Sequence, residues 1–196
     1  MTQATSWQLP PRVPQRRRPI FARLCRLTLR LMGWRVRLDE FPNVPKAMFI
    51  AAPHSSNWDF VVLILVVYSL GLHASWLGKH TLFKGPLGKL FYAMGGIPVD
   101  RSAPEGVVEQ IVAEYRRRDA MFFALAPQGT RRASAPFRRG YHRIARGADV
   151  PLLLAAIDYP SRTVAAGMTF ELTDDAESDT QKLEAYYRQF QGRNPD

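Results

Sequence analysis

Three observations in this sequence predict an α/β fold, a mixed and mainly parallel sheet flanked by helices. Short apolar runs that read as strands alternate with two-faced helical stretches along most of the chain. A basic or imidazole side chain, His54, Lys79, Arg101 or Arg131, stands just past each of four predicted strands, where α/β sheets gather their ligands. At 196 residues and 46% hydrophobic content the chain is long enough for one sizeable core, and no internal repeat divides it.

The first 19 residues, rich in proline and arginine, read as a disordered basic arm with Arg16, Arg17 and Arg18 in a row. Residues 20–34 form an amphipathic helix, with Phe21, Leu24, Cys25, Thr28, Leu31 and Met32 on one side and Arg23, Arg26 and Arg30 opposite. A basic helix of this kind suits an anionic membrane surface, or else packs on the core with its arginines in solvent. The adjacent arginines and the net charge of +10 favour the membrane. Residues 1–34 are therefore read as an arm with a membrane-surface helix, and 35–196 as the main domain. A strand at 35–38 and a turn-rich link lead to the apolar strand 47–52. Ser55, Ser56 and Asn57 are candidate N-caps for an apolar helix running to residue 72. The uncharged run 60–78 approaches membrane-spanning length, but Gly71 and His73 interrupt it, so it reads as a buried helix followed by a strand at 74–77.

A short helix is predicted over 86–94, broken by Gly95 and Gly96, then a strand at 97–99. Ser102 and Glu105 make a capping box that opens a helix to residue 118, buried through Val107, Val108, Ile111, Val112 and Tyr115. A strand at 121–126 precedes the polar loop 127–131. A short helix at 139–146 and strands at 150–157 and 163–172 follow. Ser178 and Gln181 are the expected cap of a final helix bearing Leu183, Tyr186, Tyr187 and Phe190.

The charge calls for an acidic partner: nucleic acid, anionic membrane or a phosphorylated substrate. No helix-turn-helix, zinc-finger or ribonucleoprotein motif supports nucleic acid. The single cysteine, Cys25, excludes an internal disulfide framework and a cysteine-based zinc site, and no metal site is expected. The N-terminus does not have the pattern of a signal peptide, because arginines break the apolar segment after residue 19.

His54 and Asp59 stand five residues apart, about 140° on one continuous helix, where they would diverge. With His54 on a loop and Asp59 in the first helical turn, the carboxylate reaches the imidazole and fixes its tautomer. The other ring nitrogen is then free to take a proton from a substrate hydroxyl. Taken alone, the pair reads more simply as a histidine and an aspartate that cap a helix start.

The blocks read together resemble the glycerolipid acyltransferases, specifically the lysophosphatidic acid (1-acylglycerol-3-phosphate) acyltransferase family. His54 to Asp59 matches the first block, H-x-x-x-x-D. Gly96-Ile97-Pro98-Val99-Asp100-Arg101 resembles the second, and Ala126-Pro127-Gln128-Gly129-Thr130-Arg131 resembles the third, usually Phe-Pro-Glu-Gly-Thr-Arg. Val150-Pro151-Leu152-Leu153-Leu154 resembles the fourth, a Val-Pro-rich strand. The resemblance implies a glycerol-3-phosphate acyltransferase-like fold and direct acyl transfer from acyl-CoA or acyl-carrier protein to a lysophospholipid hydroxyl. It implies His54 as base, Asp59 as its orienter, and no further cofactor. It also implies phosphate binding at Arg101 and Arg131, whose guanidinium forks suit that anion. Lys79, Gln128, Gly129 and Thr130 complete the expected substrate site. The implied location is the cytoplasmic face of the membrane, peripherally bound. Two departures stand out: Gln128 replaces the family's glutamate and Leu154 its second proline. The first leaves another lysolipid or glycolipid acceptor open, and a catalytically weakened lipid-binding homologue is the other alternative. Ser55 and Ser56 lack the G-x-S-x-G elbow of a serine nucleophile.

Overall fold

The apolar run before His54 and the one after Asp59 form a central strand and a helix in the computed structural model, which describes residues 9–16, 18–39, 41–99, 106–130, 132 and 135–194. The elements are α1 (Pro19–Leu31), β1 (Arg35–Leu38), β2 (Lys46–Ala52), α2 (Asn57–Leu70), β3 (Ala74–Lys79), a 3-10 turn (His80–Phe83), α3 (Pro86–Ala93) and β4 (Gly96–Val99). They continue with α4 (Val107–Arg117), β5 (Met121–Leu125), α5 (Gly140–Ala148), β6 (Leu152–Asp158), β7 (Thr163–Phe170) and α6 (Ala176–Tyr187). The strands make one sheet in the order β1-β7-β6-β2-β5-β3-β4. Every neighbouring pair is parallel except β6 and β7, which form an antiparallel hairpin.

Side chains on a strand alternate between faces, so β2 feeds two cores. Ala47 and Phe49 join Val62, Val66 and Leu70 of α2 and Leu29 of α1 in one buried cluster. Met48, Ile50 and Ala52 join Ile111 and Tyr115 of α4, Tyr141 and Ile144 of α5, and Leu183 and Tyr187 of α6 in the other. Burial on both faces is why β2 and β6 read as continuous apolar runs.

The N-terminal segment departs from the expectation of a free arm. Val13 is 2% exposed within the α1–α2 core. The Pro14 carbonyl accepts from His73 N–H, and Arg16 N–H donates to Gly71. Arg17 lies outside the described residues, as do residues 1–8. The face of α1 is also redistributed. Its buried side is Ala22, Cys25 and Leu29, whose small first two members let α1 lie close on α2. Ile20, Leu24, Leu27 and Leu31 instead point to solvent, Leu31 being 80% exposed, with the exposed Arg23 and Arg30 along their flank. Helix α4 begins after Gly106; the Ser102–Glu105 pair expected to cap it lies outside the described residues. Helix α6 starts three residues earlier than expected, because the Asp175 carboxylate accepts from Glu177 and Ser178 N–H and caps it instead of Ser178. Among the described residues no helix is long and apolar enough to cross a membrane.

Candidate active site

Strand β2 ends at Ala52, and the chain turns through Pro53, His54 and Ser55 into α2. Ser56 is the N-cap, its hydroxyl accepting from Trp58 N–H, and Asp59 answers as the acid of a capping box. That geometry keeps His54 on the loop and Asp59 in the first turn. The imidazole Nδ1 lies 3.1 Å from Asp59 Oδ2. The same oxygen accepts from the backbone N–H of Ser55 at 2.7 Å and of Ser56 at 2.8 Å. Capping and orienting are thus one function of one carboxylate.

Asp59 is 1% exposed. Burial opposes its ionisation, but donors from His54, Ser56, Tyr159 and Ser55 outweigh it and hold the carboxyl below its ordinary value. An ionised carboxylate only accepts, so in a neutral imidazole Nδ1 carries the proton and Nε2 is left as an acceptor. The His54 side chain is 27% exposed, enough for Nε2 to meet a substrate hydroxyl.

Sheet register brings Lys79, Gln128, Gly129 and Thr130 to the same edge. Ile50 of β2 pairs with Leu125 of β5, so the loop carrying Gln128, Gly129 and Thr130 leaves the sheet beside the His54 loop. Gln128 is 2% exposed, buried rather than presented on the surface. Gly129 takes φ +67°, a left-handed conformation that suits glycine, and the Thr130 hydroxyl accepts from Arg132 N–H. Lys79 ends β3, exposed, two strands from β2 and hence about 10 Å across the sheet. Arg101 and Arg131 lie outside the described residues. Among the described residues no group of three or more His, Cys, Asp or Glu side chains converges.

Two features of the site were not anticipated from the sequence. The Tyr159 hydroxyl donates to Asp59 Oδ1 at 2.8 Å. Residues 191–194 also cross the His54 loop. Asn194 donates from its backbone N–H to Ser55 Oγ and from its side chain to Ser55 O, each at 3.2 Å. The Arg193 guanidinium lies 5.1 Å from the centre of the Trp58 ring. Neither feature has a local spacing that could have announced it. Among the described residues no hydrogen bond joins the Ser55 or Ser56 hydroxyl to His54. Cys25 is buried between α1 and α2, where burial pushes its thiol up.

A family model described as Acyltransferase matches residues 35–158. No curated protein matches the chain significantly. Among solved structures, the crystal structure of the 1-acyl-sn-glycerophosphate (LPA) acyltransferase PlsC from Thermotoga maritima is similar in fold. Its TM-score is 0.64 at 12% identity, over 87% of this chain and 76% of that one.

Proposed function

Because the chain belongs to the acyltransferase family, we propose that it moves a fatty acyl group from acyl-CoA or acyl-carrier protein to the free hydroxyl of a lysophospholipid, 1-acylglycerol-3-phosphate foremost. The observation that carries this reading is the His54–Asp59 pair, 3.1 Å apart at the carboxyl edge of the sheet. Nε2 of His54 takes the hydroxyl proton as the oxygen attacks the thioester carbonyl. The new C–O bond forms, the C–S bond breaks, and the imidazolium returns its proton to the departing thiolate. Asp59 stabilises the imidazolium between these steps. The positive end of the α2 dipole favours the charge developing nearby. Lys79, Arg101 and Arg131 supply the cations for the acceptor phosphate. Its negative charge suits a chain of net charge +10.

The test is a panel of lysolipids offered with acyl-CoA and with acyl-carrier protein, read by mass spectrometry. Acylated lysophosphatidic acid is the expected product; no ester with any acceptor would overturn the reading. Burial of Gln128 favours a second reading, in which the acceptor head group differs from the family's usual one. A buried neutral amide avoids the desolvation cost that a glutamate would carry there. Gln128→Glu is expected to shift the ratio of kcat/KM between lysophosphatidic acid and other lysolipids, since discrimination resides in that ratio. An unchanged ratio would remove Gln128 from acceptor choice.

We further propose that residues 1–34 hold the protein peripherally on the cytoplasmic face of the membrane while 35–196 carry the chemistry. Ile20, Leu24, Leu27 and Leu31 with Arg23 and Arg30 make α1 suited to an anionic interface. The intact protein is expected to bind anionic vesicles over neutral ones, less tightly as salt rises, and Leu31→Asp should weaken that binding. Equal, salt-insensitive binding to both vesicle types would exclude this role for α1.

A further inference from the structure

We propose that Tyr159 is a positioning residue for acyl transfer, holding the Asp59 carboxylate from the side away from His54 so that the imidazole is presented in one orientation. The inference rests on His54 as base and adds a member that the matched sequence blocks do not announce. Asp59 Oδ2 takes three donors, His54 Nδ1 and the N–H groups of Ser55 and Ser56. Oδ1 takes the Tyr159 hydroxyl at 2.8 Å. Rotation about the last torsion of an aspartate is soft, so a carboxylate held by one oxygen can turn and carry its histidine partner with it. With both oxygens engaged, that rotation breaks a hydrogen bond at each end. The phenol also spreads the carboxylate's charge and keeps it an acceptor, while burial and Asp59 push the phenol itself well above its ordinary value.

The fold delivers Tyr159 to this place. Ala52 of β2 pairs with Ala156 of β6, so the catalytic loop and Tyr159 leave neighbouring strands at the same end. The ring packs edge-on against Trp34, with centroids 5.0 Å apart, which accounts for its burial but not for the direction of its hydroxyl. Residues 191–194 close the arrangement. Tyr159 N–H donates to Gln191 O at 3.0 Å, and Gln191 N–H donates to Asp158 Oδ1 at 2.9 Å. Asn194 then holds Ser55. A Cβ on Gly192 would fall 2.4 Å from Ser55 Oγ, so only glycine lets the segment lie this close. Phenol, segment and catalytic loop form one hydrogen-bonded circuit.

The test is Tyr159→Phe in the full chain, which keeps the ring on Trp34 and removes only the hydroxyl. Expected is a loss of about 10–100-fold in kcat, the scale of one hydrogen bond to a charged group, with KM for acyl-CoA and lysophosphatidic acid within about twofold. The Asp59 carboxyl, followed by carbon-13 NMR, is expected to titrate at higher pH in the variant. A kcat within about twofold of the parent, with or without a lowered melting temperature, would overturn the proposal. Should the parent acylate no acceptor, the reading of the reaction fails instead. The NMR measurement needs no turnover, so it still decides whether Tyr159 holds Asp59. An unmoved titration is the result that sinks it.

Discussion

Replacing His54 by alanine is expected to leave a folded protein whose acyl transfer is slower by about 10²–10⁴-fold, the usual range for loss of a general base. Folding is expected to survive because of where the ring sits. His54 is partly exposed on the loop, and its ring is hydrogen-bonded to Asp59. Asp59 keeps the Ser55 and Ser56 N–H groups and the Tyr159 hydroxyl when the imidazole is gone. The cap of α2 therefore stays formed, and a melt should place the variant close to the parent. Turnover measured as ester formed per enzyme separates the two effects. Near-normal turnover in a folded variant would remove the proposed mechanism.

Asp59→Asn is expected to reduce turnover by about 10²-fold or more and, unlike His54→Ala, to cost stability as well. The carboxylate is almost wholly buried and accepts four hydrogen bonds. Hydrogen bonds to an ionised acceptor contribute about 1.5–3 kcal/mol each, and an amide can replace them only as weaker neutral ones. A loss of about 2–4 kcal/mol follows. It carries a pH signature. The folded carboxyl lies below its unfolded value, so its contribution is full above the unfolded value, near pH 4, and fades as pH falls through the folded one. The stability gap between parent and variant, from denaturant titrations, should therefore shrink below about pH 4. A gap unchanged from neutral to strongly acid pH would assign the loss to packing alone.

The alternating strands and helices and the His54–Asp59 pair were legible because their determinants are local. An apolar run ending at a cluster of N-cap residues fixes where α2 begins, and that alone puts His54 outside the helix and Asp59 inside it. The face of α1 was not legible. Leucines occur on more than one side of that helix, and only its partner α2 selects Ala22, Cys25 and Leu29 for burial. The start of α6 turned on two competing caps, Asp175 and Ser178, of which the carboxylate won two backbone donors. Tyr159 was illegible for a different reason. It meets Asp59 across 100 residues of sequence, a contact set by strand register that no spacing along the chain encodes.

The sheet order has a consequence for how the protein is made. Strand β2, which leads into the His54 loop, has its two neighbours β5 and β6 later in the chain, and β1 must wait for β7. The ribosome delivers Met121, the first residue of β5, about 70 residues after Ala52, which at about 5–20 residues per second is roughly 4–14 s. For that interval the nascent chain holds an apolar strand with both of its edges unpaired, the kind of segment that templates aggregation and recruits chaperones. Helix α2 can form early, but the histidine beside it has no wall of β5 or β6 to work against until most of the polypeptide has emerged.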